Sequence, residues 1–249
     1  MIKIKIFIIL IFSLFFNLSF HANTSVKLSE IYVDLEDVAS IKRGSRVFFD
    51  YCQGCHSLKY MRYTDLAEGL NIDGNASSTL IREHFLHSTD VISETSAILS
   101  SITKESAAKW FGKVPPDLSL VSRYRSPNWI YTYMKAFYKD SSRPWGVNNV
   151  VFPDVGMPHV LLSLQGVQVL KENASHYPNI ENMFYLTENG ILSKEKYDLL
   201  VKDLVNFLSY VGEPTKTKRE ELGLFVVIFL VALSVLLYFI KKYYWEDVK

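Results

Sequence analysis

From Leu222 to Ile240 the chain runs through 19 residues without a charge, 17 of them apolar. As an α-helix this run extends about 28 Å, close to the hydrocarbon thickness of a bilayer. Aliphatic and aromatic side chains occupy every face of such a helix and basic residues flank both ends, which sets aside a helix buried in a soluble core. The run therefore divides the chain. What precedes it folds on one side of a membrane, and only a short tail, Lys241 to Lys249, is left on the other.

A second apolar stretch, Ile6 to Phe20, is shorter and follows Lys3 and Lys5. A charged start and a short greasy centre are the marks of a secretory signal, and residues 1–22 are read as one. Phe20 stands where cleavage after Ala22 prefers a small side chain, so an uncleaved anchor is the alternative. The 215 residues outside both stretches are about 43% apolar and about 25% charged, the composition of a water-soluble globular domain. Disorder and a polytopic membrane protein are both excluded. Lysine plus arginine number 27 against 26 aspartates and glutamates, too balanced for a broad cationic surface that grips nucleic acid. Basic residues stand three on each side of the anchor (Lys216, Lys218, Arg219; Lys241, Lys242, Lys249), so the orientation follows from the export signal. Residues 23–215 then face an oxidising compartment, and residues 216–249 form the anchor, with its helix at 222–240, and a cytoplasmic tail.

The two cysteines of the chain are Cys52 and Cys55, separated by Gln53-Gly54 and followed at once by His56. Cys-x-x-Cys-His is the haem c attachment signature. Thioether bonds from the two thiols fix the porphyrin edge, and the adjacent imidazole projects to the iron as the proximal ligand. Val47, Phe48, Tyr51, Cys52 and Cys55 fall at helical offsets, which predicts one helical stripe carrying both thiols. A thioredoxin-like motif needs a strand before it, whereas Ile41 to Tyr51 reads as helix, and a zinc site needs a second ligand pair. One motif means one covalent haem.

A haem that shuttles electrons needs a sixth ligand, and methionine is the usual partner of histidine in raising the potential. Met61 lies too near His56 to reach the opposite face. Met134 falls on an apolar helical stripe formed by positions 129, 130, 133, 134, 137 and 138, and Met183 has no scaffold, so both read as packing residues. Met157 stands in Phe152-Pro153-Asp154-Val155-Gly156-Met157-Pro158, where prolines and glycine forbid a regular helix and present the side chain from a loop. It is the best axial candidate. His84, His87, His159 and His176 are the alternatives, and bis-histidine coordination through His159 stays open as the minority reading.

Three blocks together carry a resemblance: Cys52-Gln53-Gly54-Cys55-His56-Ser57-Leu58-Lys59-Tyr60-Met61-Arg62-Tyr63, Trp110-Phe111-Gly112-Lys113-Val114-Pro115-Pro116-Asp117-Leu118-Ser119, and Phe152 to His159. In this order they resemble the cytochrome c1 family of proteobacterial quinol-cytochrome c reductases, the cytochrome bc1 complexes, from about Arg43 through the anchor. The resemblance implies a mainly α, cytochrome c-like haem domain with long loop insertions and one carboxy-terminal transmembrane helix. It implies that Cys52 and Cys55 hold one haem c, that His56 is proximal and Met157 distal, and that Arg125 contacts a haem propionate. A surface ion pair is the competing reading of Arg125.

The implied role is electron transfer within the reductase, as a subunit that does not itself oxidise quinol. The donor would be the Rieske iron-sulfur protein and the acceptor a cytochrome c, with cytochrome b alongside in the bilayer and the haem domain on the periplasmic side of a bacterial inner membrane. Asp34, Glu36 and Asp37 either steer a basic acceptor or form a solvated acidic stretch. A stand-alone membrane-anchored carrier, or a haem enzyme or gas sensor with an open distal site, is the alternative. Elsewhere, Asn71 to Ser78 reads as a loop, Asp90 to Lys109 as part helix ending near Gly112, and Asp117 as a turn cap. Ser126-Pro127 reads as a helix start and 140–158 as irregular. Tyr197, Leu200, Val201, Leu204, Val205, Leu208 and Val211 form a helix stopping at Gly212 and packing on the haem helix.

Overall fold

The computed structural model describes residues 26–70, 96–177 and 179–246. The signal at 1–22, the loop 71–78, His84, His87 and the start of the stretch from Asp90 lie outside them. In chain order the elements are α1 (Val38–Tyr51), β1 (Leu58–Arg62), α2 (Tyr63–Gly69), β2 (Ala97–Ile98), α3 (Lys104–Phe111), α4 (Val121–Tyr124) and α5 (Pro127–Lys135). There follow β3 (Phe137–Lys139), β4 (Val147–Asn149), α6 (Leu162–Gln165), β5 (Gly166–Leu170), β6 (Phe184–Asn189), α7 (Lys194–Gly212) and α8 (Lys216–Tyr244). The strands pair only as antiparallel couples, β1 with β2, β3 with β4 and β5 with β6, so helices carry the fold.

The core is built where α1 crosses α7. Asp37 caps α1 by accepting the Ser40 N–H at 2.9 Å, and Ser193 caps α7 by accepting that of Lys196. Ile41, Phe48 and Phe49 on α1 meet Tyr197, Val201, Leu204, Val205, Phe207, Leu208 and Val211 on α7 in one buried cluster. Each fully buried aliphatic or aromatic side chain contributes about 1.5–3 kcal/mol. The helices approach so closely at Gly44 that a Cβ there would overlap the backbone carbonyl of Asp203. Beside this crossing Arg43 holds Asp203 through two hydrogen bonds of 2.6 and 2.9 Å. Ser40 Oγ donates to the same carboxylate at 2.6 Å, and Asn206 donates to Ser40 Oγ at 2.8 Å. A carboxylate only 5% exposed is thereby fully partnered.

The helix expected to run through the haem motif stops short of it. α1 ends at Tyr51, where the N–H groups of Cys52 and Gln53 both turn onto the Phe48 carbonyl, at 2.8 and 2.9 Å. Cys52 to Cys55 form a turn. The stripe expected from Trp129 to Tyr138 also divides: α5 starts with Ser126 as cap and Pro127 in its first turn, ends at Lys135, and passes Phe137 and Tyr138 into β3. The piece 140–158 is irregular apart from β4, and the side chains of Asn148 and Asn149 hold the segment that follows it. Asn149 Oδ1 accepts from the N–H of Val151 and Phe152, and Asn148 Oδ1 from that of Asp154. Met134 and Met183 are buried packing residues, as expected. α8 has no buried residue, and among the described residues it is the one helix long and apolar enough to cross a membrane.

Candidate haem-binding site

The turn after α1 presents two unpaired thiols, Cys52 buried and Cys55 partly exposed. The N–H groups of Cys55 and His56 return to the Cys52 carbonyl at 3.0 and 2.8 Å, which closes the turn. Burial, with a smaller contribution from Cys55, pushes the Cys52 thiol up to about 12, and burial also raises Cys55. A dithiol redox motif would show the opposite shift and follow a strand, and neither holds here.

His56 is buried, and its Nδ1 donates to the Pro116 carbonyl at 2.8 Å. A carbonyl oxygen only accepts, so Nδ1 carries the proton and Nε2 keeps its lone pair. Burial holds the imidazole below its ordinary pKa against smaller opposing effects of the Pro116 bond and Asp117. The residues after Pro116 are laced to those after His56. The Leu118 N–H bonds the Ser57 carbonyl at 2.9 Å, Asp117 accepts from the N–H groups of Lys59 (2.9 Å) and Ser119 (3.0 Å), and Ser119 Oγ accepts from that of Tyr60 (3.2 Å). Asp117 therefore caps its turn as expected and also ties two sequence blocks together.

Met157 lies half-buried against Phe137, Val147 and Val155. Its Sδ accepts a hydrogen bond from the Tyr133 hydroxyl at 3.4 Å. Next to it, Gly156 is covered by the Lys113 side chain, and Phe111, two residues before Lys113, packs its ring against Trp145 at 5.4 Å. The block that holds His56 through Pro116 thus also covers the Met157 loop. Arg125 is exposed, and its guanidinium lies over the rings of Trp129 at 4.9 Å and Phe152 at 5.7 Å. Cation–π contacts, rather than the surface ion pair, hold it among the described residues. Ser126, the next residue, has φ 77° and ψ 151°, a conformation that costs a non-glycine residue about 1–3 kcal/mol.

His159, two residues beyond Met157, is turned to a different task. Its ring stacks on Phe137 at 4.6 Å with planes 5° apart, and Nε2 bonds Gln165 Oε1 at 2.7 Å. Burial lowers it to about 4 despite the Gln165 bond, so it is neutral. His176 sits exposed in a short 3₁₀ turn. Asp34 and Asp37 use their carboxylates on backbone N–H groups at the start of α1. That end is 14 residues, about 21 Å, from Cys52, and these two carboxylates serve local structure there.

The donor set fits a covalent haem: two free thiols in a closed turn, a neutral buried imidazole with Nε2 uncommitted, and a thioether presented from a loop that the same segment covers. Sequence reasoning missed Tyr133 and Pro116. Tyr133 reads as core in an amphipathic stripe, and a backbone carbonyl leaves no signal in residue identity.

The model of the Cytochrome C1 family matches residues 29–248. A cytochrome c1 of Allochromatium vinosum is 49% identical over 224 residues, covering 89% of this chain and 89% of that protein. A protein of Nitrosomonas europaea named ammonia monooxygenase gamma subunit is 40% identical over 223 residues, covering 90% and 89%. A cytochrome c1 of Rhodospirillum rubrum is 26% identical over 240 residues, covering 86% and 83%. Motif, geometry and relatives agree: the chain belongs to the cytochrome c1 family, as the haem c electron-transfer subunit of a cytochrome bc1 complex with one covalently attached haem c.

Proposed function

We propose that Cys52 and Cys55 would anchor the haem through thioethers, that His56 Nε2 and Met157 Sδ would hold its iron, and that Arg125 would pair with a propionate. The donor in this reading is the Rieske iron-sulfur protein and the acceptor a cytochrome c, with cytochrome b beside α8 in the bilayer. Residues 23–215 form the haem domain on the periplasmic side of a bacterial inner membrane, residues 1–22 its export signal, and residues 216–249 the anchor and tail. The observation that carries the reading is the lacing of His56 to the segment 115–119, whose neighbour Lys113 covers Gly156 beside Met157.

The haem supplies a one-electron ferrous–ferric couple. The protein does the rest by position. Cys52 and Cys55 set the edge of the group, and the Pro116 bond keeps the His56 ring in one tautomer and one orientation. Met157 would keep water and small ligands from the iron. The Arg125 guanidinium, always charged and braced on two rings, suits a carboxylate and favours the reduced state by its positive field. No proton is taken up or released by these groups, so they need only hold still.

The test is isolation from membranes in mild detergent. The reading expects cytochrome b and the Rieske protein to come with the chain, and a carrier that comes out alone would refute it. The same preparation decides whether a chain of this build partners a monooxygenase, as the name of the Nitrosomonas relative would have it.

A further inference from the structure

We propose that Tyr133 positions the distal sulfur and raises the reduction potential of the bound haem, by donating its phenolic hydrogen to Met157 Sδ. The inference rests on the reading of Met157 as the distal ligand. Its starting point is the 3.4 Å contact between the Tyr133 hydroxyl and that sulfur. Met157 sits between Gly156 and Pro158 in a segment outside any helix or strand, so its side chain depends on neighbours for direction.

Tyr133 is a well-fixed neighbour. It lies on α5 with its ring stacked on Trp129 at 4.8 Å, planes 10° apart, and set edge-on to Phe137 at 5.1 Å. Its carbonyl accepts from Asn149 Nδ2 at 2.8 Å, which ties the donor's backbone to the strand that leads into the Met157 loop. On the far side of Phe137 stacks His159, two residues past Met157. Rings 129, 133, 137 and 159 thus form one column that grips the loop at its exit and places a single hydroxyl on the sulfur.

A thioether sulfur has two lone pairs. One suffices for a metal, and the other then accepts the phenol hydrogen. That hydrogen bond draws density from sulfur and weakens its donation to iron. The ferric state, which needs donation more, is disfavoured relative to the ferrous state. No bond is made or broken and no proton moves, and only the one-electron equilibrium shifts. A bond of this weak class changes that equilibrium by about three- to tenfold.

The experiment is Tyr133→Phe in the full chain within its detergent-isolated complex. It keeps the ring and removes only the donor. Redox titration of the haem is combined with the ferric spectrum, whose long-wavelength charge-transfer band reports methionine ligation. The expected result is that the band persists and the ferrous-to-ferric ratio at fixed potential falls about three- to tenfold, a midpoint lower by about 30–60 mV at 59 mV per decade for one electron. An unchanged midpoint with the band retained overturns the proposal. Tyr133→Leu removes ring and hydroxyl together. A midpoint equal to that of Tyr133→Phe supports the hydroxyl, whereas a fall confined to Tyr133→Leu assigns the effect to packing and overturns it. A wild-type spectrum without the band would refute Met157 as ligand, a failure distinct from that of Tyr133.

Discussion

His56 donates its Nδ1 hydrogen to the carbonyl of Pro116, 60 residues further along the chain, at 2.8 Å. The bond fixes which nitrogen is available to a metal and joins the haem motif to the Pro-Pro-Asp-Leu-Ser segment. Asp117, the next residue, holds that segment by accepting from Lys59 and Ser119. Asp117→Ala removes both bonds and loosens the carbonyl behind the imidazole. We expect a loss of about 1–2 kcal/mol, since each bond to a partly exposed carboxylate gives about 0.5–1.5 kcal/mol. Guanidinium unfolding followed through haem absorption measures it, and an unchanged midpoint would show that the segment is held by other means.

The two cysteines differ in burial but share one turn. Cys52→Ala or Cys55→Ala should leave one thioether each and a shifted haem spectrum, while the double variant should lose all covalent haem. Acid–acetone extraction followed by haem staining of the denatured chain separates these outcomes. Covalent haem surviving in the double variant would contradict the assignment.

Gly44 lies where α1 touches the backbone of α7. Gly44→Ala places a methyl group on the Asp203 carbonyl, and the atom it meets is backbone that cannot rotate away. Overpacking of this kind costs about 1–3 kcal/mol. Because the Arg43–Asp203 pair sits beside the same crossing, the variant should also weaken that pair. Thermal unfolding of the detergent-solubilised protein measures the loss, and a stability equal to wild type would contradict the close approach.

Lys135 is 7% exposed and pairs with Asp198 at 2.8 Å and Glu181 at 3.0 Å. Burial pulls its pKa down, but the hydrogen bonds it donates to Asp198, Glu181 and Tyr131 outweigh it and leave it raised, while the Lys135 bond holds Glu181 below its ordinary value. The stabilisation is therefore full between roughly pH 5.5 and 9.5. It is lost as pH falls through the depressed value of Glu181 or rises through the elevated value of Lys135. Lys135→Met should cost about 1–3 kcal/mol at pH 7, less than a fully buried pair because Glu181 is 45% exposed. Stability measured from pH 7 to 3 should show the two proteins converging at the acid end, and a constant gap would contradict the ion-pair account.

What the sequence disclosed follows from what local pattern can carry. The spacing of Cys52, Cys55 and His56, the period of α7 and the uncharged run inside α8 are all local, and all three stand in the structure. The polar cluster of Ser40, Arg43, Asp203 and Asn206 was not legible, because its members lie about 160 residues apart and each alone reads as a surface residue. β3 and β4 are three residues each, too short for an alternating pattern, and buried Asn148 and Asn149 mimic a loop. The stretch Asp34, Glu36 and Asp37 shows the limit of charge alone, since only the structure reveals that Asp34 and Asp37 accept from backbone N–H groups where α1 starts.

If nitrogen of His56 and sulfur of Met157 flank one iron, X-ray absorption at the iron edge reports both. In the wild-type haem chain freed of its iron-sulfur and b-haem partners the iron shell should contain one sulfur scatterer beside its nitrogens, and Met157→Ala should remove that sulfur and let the reduced haem bind carbon monoxide. A sulfur scatterer that persists in Met157→Ala, or a wild-type shell of nitrogens alone, would contradict the account.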